Sequence, residues 1–408
     1  MNKITYNKQY TDKKDEKIII EALKSKLITS GNFVKSFEKK ICQYLKVKHA
    51  VSCINGTAGL DLAFRGINLM PKDNVIMPVV NFIASYSMAK KIGANIFLAD
   101  VDSTTGQMTP ETLKNCIKKN NIKKIRAIIT MYLGGYAENV INFYKLKKKY
   151  KFLIIEDACH AFGAKYQYNN KKFMVGSCKH SDISVFSFHP VKTITTGEGG
   201  IVTTNNKLIS SKIRLIKNHN ILKNKKYWDY DIKKFSVNYR LSDLNCALGI
   251  SQLQKVNIFL QDRKKAYLRY VKEIKKISTY INIPKYENYK NSSFHLFLIN
   301  LNLSKLKSNK NKFFQYLNKS NIFPQFHYKP LFMFSFFNKK EKTDFTGAKK
   351  YFNNTLSIPL YYGIKKNEQE YILKKIKKFI YQFKIQPGRL NNNKLEEFRN
   401  WETLKKYR

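Results

Sequence analysis

The chain has 408 residues, of which 43% are hydrophobic and 14% aromatic, and 76 Lys and Arg against 28 Asp and Glu give it a formal net charge of +48. This length allows a large core and two domains, and this composition excludes a disordered protein. No apolar run is long enough to span a bilayer, and residues 1–8 lack the apolar core of a signal peptide. We therefore expect a cytoplasmic protein with no membrane partner.

The excess of cations is scattered along the chain, as at Lys118, Lys147 and Lys223, and always lies between ordinary apolar segments. This scatter favours a solvated surface, so we expect no nucleic-acid partner. The competing hypothesis is a non-catalytic basic scaffold that binds nucleic acid. The six cysteines include no C-x-x-C pair. They predict reduced thiols, no disulfide framework and no metal site.

The first half of the chain alternates helical patterns with short apolar, β-branched runs. Helices are predicted over residues 18–23 and 33–45, where apolar side chains recur at helical spacing. Strands are predicted at residues 49–53, 75–77, 96–98, 125–129, 152–155, 182–186 and 201–204. The alternation predicts an α/β domain built on a seven-stranded, mostly parallel sheet, whose ligands gather at the carboxyl ends of the strands.

The second half predicts a smaller unit. A long helix is expected from about residue 240 toward the charged stretch at 262–265, followed by strands at 294–299 and 322–328. We therefore predict a large domain over residues 1–255, a smaller α+β domain over 256–388 and a polar tail over 389–408.

The stretch from Ser187 to Gly200 is the predicted chemical centre. It is a glycine-rich loop between two strands, and such a loop can hold Lys192 in a fixed, partly desolvated place. A lysine of that kind has a lowered pKa and can form a Schiff base. Taken alone, Lys192 is more simply one surface cation among many.

Other polar residues follow predicted strands at the same edge. The Asn55–Gly56 turn before a helix is a candidate phosphate site, and an ordinary turn capped by Thr57 is about as probable. Asp157 could pair with a protonated ring nitrogen or cap a helix. Phe82 and His160 could stack on a flat ring, or they could be ordinary packing residues of the core or a loop. Ser187 could bind a phosphate, or it could be an ordinary hydroxyl at the end of a strand.

Together these stretches resemble the DegT/DnrJ/StrS family of nucleotide-sugar aminotransferases, which are pyridoxal-phosphate enzymes of fold type I. The resemblance runs from about Thr29 to Tyr361. It is carried by residues 55–58, 156–161, 187–200, 238–243 and 326–328. The His189-Pro190-Val191-Lys192 form is similar to the branch that makes the 4-amino sugar precursor of pseudaminic acid.

The resemblance implies a role for each matching residue. Lys192 would bond to the cofactor and then move a proton between the substrate carbon and the cofactor. Asp157 would hold the pyridine nitrogen, and Phe82 and His160 would lie near the ring. The phosphate would be bound by Thr57, Ala58, Ser187 and a partner subunit's Asn238, and the sugar by His189, His327, Arg240 and Tyr328.

The same resemblance implies the reaction. L-Glutamate would donate an amino group to C4 of a UDP-linked 4-keto-6-deoxy sugar, in a homodimer with shared active sites. A 3-aminotransferase on another nucleotide-linked keto sugar is the alternative. Two features depart from the family's usual pattern, the stretch from Met131 to Ala137 and Gly59, and they leave the exact sugar open. Some members of the family have histidine in place of the lysine and act as dehydratases, so the presence of Lys192 argues against that activity.

Overall fold

The computed structural model describes residues 3–224, 228–337 and 344–385. Its helices are α1 Lys13–Leu23, α2 Asn32–Leu45, α3 Gly56–Gly66, α4 Ile83–Ile92, α5 Pro110–Lys119, α6 Val140–Tyr150, α7 Lys207–Ile216, α8 Asp243–Ile274, α9 Lys310–Lys319, α10 Thr346–Asn354 and α11 Lys366–Phe383. Its strands are β1 Ile4–Thr5, β2 His49–Cys53, β3 Asn74–Pro78, β4 Asn95–Ala99, β5 Ala127–Met131, β6 Leu153–Asp157, β7 Lys165–Tyr168, β8 Lys171–Met174, β9 Ile183–Ser187, β10 Gly200–Thr204, β11 Ile221–Lys223, β12 Tyr230–Ile232, β13 Ile281–Asn282, β14 Phe297–Leu301, β15 Ile322–Phe323 and β16 Thr355–Ile358.

The seven predicted strands of the first half form one sheet, in the order β2-β10-β9-β6-β5-β3-β4. Only β10 runs against its neighbours, β2 and β9, and every other pair is parallel. The predicted α/β fold class is therefore confirmed. Because β9 ends and β10 begins at the same edge, the loop that carries Lys192 lies where the parallel strands end.

Helices cover both faces of this sheet, because its strands are apolar on both sides. Helix α3 packs on β9 and β10, and Leu62 and Phe64 of α3 share a buried cluster with Val185 and Val202. On the opposite side α2 and α8 bury Phe37 in a cluster that holds Phe186, Phe188 and Ile201. The two strands that flank the Lys192 loop are thus packed against helices on both faces of the sheet.

A second hydrophobic cluster lies around the small sheet β13-β14-β16 and helices α9 and α11. The later part of α8, including Tyr267 and Tyr270, packs into it, and so does Ile4 of β1, which pairs with β15. The expected boundary at residue 255 therefore falls inside one continuous helix that joins the two clusters. The division into domains stays a proposal, and the predicted tail lies outside the described residues.

The second-half strands are shorter than expected. Of residues 322–328 only Ile322–Phe323 is a strand, because Pro324 has no N–H to donate to a ladder. Strand β14 begins at Phe297, three residues later than predicted, since Ser293 and His295 instead donate backbone hydrogen bonds to Gly135 and Gly134. Across the described ranges, none of the helices combines the length and apolarity that a membrane span needs.

One buried carboxylate ties the start of α2 to the start of α8. Asp243 is fully buried and accepts backbone hydrogen bonds from Gly31 (2.7 Å), Phe33 (2.8 Å) and Val34 (3.2 Å). These amides belong to the first turn of α2, which has no side-chain cap of its own. Asp243 therefore acts as a cap supplied from 209 to 212 residues further along the chain.

We predict that Asp243→Ala lowers the free energy of unfolding by about 2–3 kcal/mol, because three buried amides lose a charged acceptor. Urea unfolding followed by circular dichroism would measure this. The matched control is Glu370→Ala, which removes an exposed carboxylate 3.7 Å from Lys366 and should change stability by less than about 0.5 kcal/mol. Equal effects of the two changes would contradict the capping role.

Candidate active site

The Lys192 loop is held by its own backbone at the sheet edge. Phe188 and Gly199 close its base with an N–H···O bond of 2.8 Å, and the Phe188 carbonyl also accepts from Thr196 N (3.0 Å) and Thr195 Oγ1 (3.0 Å). The amide of Lys192 donates to the His189 carbonyl at 2.8 Å. The lysine is thereby presented from a closed turn and not from a mobile arm.

Lys192 and Asp157 act on each other electrostatically. Burial lowers the pKa of Lys192, and the neighbouring Cys159 and Asp157 work against that shift. Burial raises the pKa of Asp157, opposed by hydrogen bonds from Cys159 and Ser85 and by the charge of Lys192. The two groups therefore sit in one desolvated space, where each is pushed toward its neutral form.

Two donors orient the carboxylate of Asp157. The Cys159 amide donates to Oδ1 and the Ser85 hydroxyl to Oδ2, each at 3.3 Å. Ser85 lies in the first turn of α4 and also accepts from the Asn81 side-chain amide. The carboxylate is therefore fixed from β6 and α4 at once. Asp157 ends β6 within the sheet and caps no helix, so that alternative is wrong.

The turn after β2 forms a cup beside Ser187. Asn55, and not Thr57, caps helix α3, since its side chain accepts from the Ala58 amide at 2.8 Å. Among the described residues, the amides of Gly56 and Thr57 find no acceptor in the protein. A Cβ on Gly56 would lie 3.0 Å from the Ser187 Cβ and 3.2 Å from the Cys159 Sγ. Two N–H groups of the first helical turn are thus free, and the missing side chain of Gly56 leaves space for a ligand between them and Ser187.

His160 and Tyr328 form a directed hydrogen-bond chain. The Gly134 amide donates to His160 Nδ1 at 3.4 Å, and His160 Nε2 lies 2.9 Å from the Tyr328 hydroxyl. Burial and then the charge of Lys192 hold the pKa of His160 well below its usual range, so the ring is neutral. A neutral ring that accepts at Nδ1 carries its proton on Nε2 and donates to Tyr328. The Tyr328 hydroxyl keeps its own proton for another acceptor.

Two further histidines surround His160. Its ring centroid lies 4.3 Å from that of His295 and 5.9 Å from that of His327. Burial and the charge of Lys192 lower the pKa of His327 to about 3, and His327 Nδ1 is 2.8 Å from the Ser357 hydroxyl. The wall beside Lys192 is therefore built from neutral imidazoles. In the described part of the chain no group of metal-ligating side chains is arranged to hold an ion.

Phe82 lies at the rim of this space. It precedes the first residue of α4, is 51% exposed, and its ring centroid is 5.7 Å from that of Tyr328. An exposed aromatic ring beside a buried polar site can receive a flat ligand.

Three predicted residues have side chains that are exposed or half-buried and that bond to groups other than Lys192 and Asp157. His189 is exposed, and its Nδ1 accepts only the nearby Val191 amide. Asn238 is exposed on the segment after β12, and Arg240 donates to Asn218 Oδ1 at 2.6 Å. In the described ranges none of these side chains hydrogen-bonds to Lys192 or Asp157.

The structure adds Ser85, Cys159, His295 and Gly134 to the site. Cys159 lies two residues after Asp157 within the 156–161 motif, so the motif itself could have signalled it. Ser85 lies three residues beyond the predicted Phe82, at the third position of α4, so its place near Phe82 could have been inferred once α4 was placed. Nothing in the sequence indicates that His295, from the second half of the chain, reaches the sheet edge.

A family model of the DegT/DnrJ/EryC1/StrS aminotransferases matches residues 9–377. The chain belongs to this aminotransferase family. The match is wider than the stretch from Thr29 to Tyr361 on which the resemblance was based.

Individual members of the aminotransferase family resemble the whole chain. A UDP-4-amino-4,6-dideoxy-N-acetyl-beta-L-altrosamine transaminase of Campylobacter jejuni is 37% identical over 383 residues, which is 92% of this chain and 99% of the relative. The solved structure of Helicobacter pylori PseC, an aminotransferase of pseudaminic acid biosynthesis, matches with a TM-score of 0.86 and 28% identity over 94% of this chain and all of that one. The PLP form of the sugar aminotransferase Spr1654 from Streptococcus pneumoniae has a TM-score of 0.83 and 26% identity, over 93% and 99% of the two chains.

We predict that the His160 ring stays neutral, with its proton on Nε2, from about pH 6 to about pH 8, whereas a solvated histidine would titrate near 6.5 in that range. The physical reason is the buried site and the nearby Lys192 charge, both of which oppose protonation. NMR of protein with ¹⁵N-labelled histidine would measure it, with His160→Gln assigning the signal. If the His160 ring became protonated near pH 6.5, or if its single proton lay on Nδ1, the hydrogen-bond chain from Gly134 through His160 to Tyr328 would be contradicted.

Proposed function

We propose that this protein is a pyridoxal-phosphate-dependent aminotransferase that moves an amino group from L-glutamate to C4 of a UDP-linked 4-keto-6-deoxy sugar. The product is of the UDP-4-amino-4,6-dideoxy-N-acetyl-altrosamine type. The observation that carries the proposal is the desolvated pair of Lys192 and Asp157 beside an anion cup at one sheet edge.

The residues present fit pyridoxal phosphate. The free amides of Gly56 and Thr57 and the Ser187 hydroxyl would hold the phosphate, with Ala58 in the same helical turn. Asp157 would accept the pyridine N–H, and its ionised form, which burial disfavours, would gain the cationic partner it lacks. Bound there, the cofactor would supply an electron sink in its ring, and it would carry the amino group from one substrate to the other.

Lys192 is the proposed base of the reaction. An amine whose pKa is lowered by burial holds a neutral fraction near neutral pH, so its Nζ can take a proton from the substrate carbon and return it. The closed loop keeps Nζ near one position while the proton moves. Lys192 thereby fulfils both requirements of this chemistry, nucleophilicity and proton transfer.

Tyr328 is the proposed contact to the substrate. Because His160 donates to its oxygen, the Tyr328 hydroxyl can point its own proton at a sugar or carboxylate oxygen. His160 acts through Tyr328 and is a positioning residue for that contact as well as a neighbour of the cofactor ring. Phe82 would cover the open side of the ring, and His327 would lie behind Tyr328.

A second subunit is part of the proposal. Asn238, Arg240 and His189 make no side-chain hydrogen bond to Lys192 or Asp157 in their own chain, although the family pattern places them at the site. We propose that a homodimer joins them to the partner's Lys192 cluster, where Asn238 would meet the phosphate and Arg240 and His189 the nucleotide sugar. Such a site explains why these side chains are held at the surface.

The choice of C4 is supported by relatives of this chain. Three transaminases named for UDP-4-amino-4,6-dideoxy-N-acetyl-beta-L-altrosamine, from two Campylobacter jejuni strains and from Helicobacter pylori, are 31–37% identical over 92–95% of the chain. Amination at C3 of another nucleotide-linked keto sugar is the alternative. NMR of the enzymatic product would distinguish them, because the carbon that receives nitrogen shifts upfield. The cytoplasm, where UDP-sugars are made, is the proposed location.

We predict that Lys192→Ala lowers turnover at least about a thousandfold while circular dichroism stays unchanged, because the mobile proton loses its carrier. The half-reaction is the sharpest measurement: absorbance of the protein with pyridoxal phosphate before and after L-glutamate. The native protein should convert the pyridoxal form to the pyridoxamine form. The control Lys179→Ala removes an exposed lysine elsewhere and should behave as the native protein. Retained conversion by Lys192→Ala would sink the assignment.

We predict that two inactive variants complement each other. In a mixed dimer of Lys192→Ala and Asn238→Ala chains, one shared site carries both changes and the other carries neither. Random reassortment should therefore restore about a quarter of native activity. Refolding the two variants together and measuring turnover tests this, with each variant alone as the baseline. No recovery despite mixed dimers would show that Asn238 serves its own chain's site.

A further inference from the structure

A second cleft, of about 920 Å³, is lined by residues other than those placed around Lys192. Its walls come from the end of α2, the β7–β8 hairpin, the middle of α8 and residues 290–294. Gly163 lies at its floor with φ +90°, and a Cβ there would approach Leu260 to 2.5 Å. None of the residues placed in the candidate active site lines this cleft.

The cleft is lined by exposed lysines without partners. None of them forms an ion pair within the described ranges, and no Asp or Glu lines the cleft. By contrast Lys217, directly after α7, lies 3.2 Å from Glu38, and Lys255 of α8 lies 2.7 Å from Asp15. The seven cleft lysines are Lys46, Lys165, Lys171, Lys172, Lys179, Lys264 and Lys290. A concave surface with one sign of charge concentrates anions.

The lysines converge from ordered elements. Four belong to the β7–β8 hairpin and its flank, where Lys165 to Tyr168 pair with Lys171 to Met174. The Asn288 side chain donates to the Lys165 carbonyl at 2.7 Å, which ties the hairpin to the segment that carries Lys290. Glu138 in turn accepts the Glu287 and Asn288 amides. The backbone positions of these lysines are therefore fixed by the fold.

Other lining groups suit the rest of a nucleotide. Tyr44 and Phe173 are half-buried, and each has a stacked neighbour on one face, Phe162 and Tyr166 respectively. Asn257 and Gln261 of α8 add amide donors and acceptors. Concave sites that combine a phosphate-binding cation group, an aromatic surface and a few amides recognise nucleotides. The volume of about 920 Å³ falls within the range of about 300–1,000 Å³ that is usual for small-molecule sites.

We propose that this cleft binds a nucleoside polyphosphate, with the phosphate chain on the lysines and the base against Tyr44 or Phe173. The site is independent of the proposed transamination. It needs no residue of the Lys192 edge.

The test uses full-length protein loaded with pyridoxal phosphate, so that the cup at Gly56 is filled. Isothermal calorimetry measures binding of ATP, UTP, AMP and inorganic tripolyphosphate. The triple variant Lys171→Glu, Lys172→Glu, Lys290→Glu is compared with Lys114→Glu, Lys118→Glu, Lys119→Glu, which makes the same charge change on exposed residues of α5. The glutamate half-reaction checks that both variants remain folded and loaded.

We expect the cleft variant to lose at least about tenfold in affinity for ATP or UTP and the α5 variant to lose far less, because close charges dominate over screened distant ones. AMP should bind more weakly than ATP. If both variants lost the same affinity for ATP, binding would depend on the overall positive charge of the protein and not on the cleft, and the proposal would be overturned. If tripolyphosphate bound as tightly as ATP, the cleft would not recognise the base, and the proposal would be overturned. If duplex DNA bound in the cleft more tightly than ATP, the ligand would be nucleic acid and the proposal would likewise be overturned.

Discussion

The site depends on desolvating two groups that form no salt bridge among the described residues, the half-buried amine of Lys192 and the buried carboxylate of Asp157. Lys192 and Asp157 share one desolvated space, and burial pushes the first toward a free amine and the second toward a neutral acid. Buried polar groups of this kind cost stability until a ligand pairs them. The site is therefore preorganised for a ligand that brings both an electrophilic carbon and a basic ring nitrogen.

Holding these two groups together is the task of the sheet. Asp157 ends the parallel strand β6, and β9 brings Ser187 and the Lys192 loop to the same edge. The reversal at β10 returns the chain into the sheet, so the loop is closed at both ends. A second unit then completes the wall, because Tyr328 and the neighbouring histidines approach from beyond α8.

Much of this could be predicted from the sequence, since local patterns carry it. The period of apolar residues identified all seven sheet strands, and their alternation with helices identified the parallel fold. The family motifs selected Lys192, Asp157, His160 and Ser187. The later strands were predicted less well, because Pro324 interrupts the apolar run and backbone bonds to Gly134 and Gly135 delay β14.

The sequence by itself determined the fold class and selected the proposed site residues, because strand periodicity and residue chemistry are local properties. Tertiary structure decided which groups meet: Ser85 on Asp157, Gly134 on His160, and Tyr328 on His160 across 168 positions of chain. It also decided that Asn55, and not Thr57, caps α3, and that seven scattered lysines share one cleft. Such encounters depend on long-range packing, burial and hydrogen-bond direction, which no local pattern encodes.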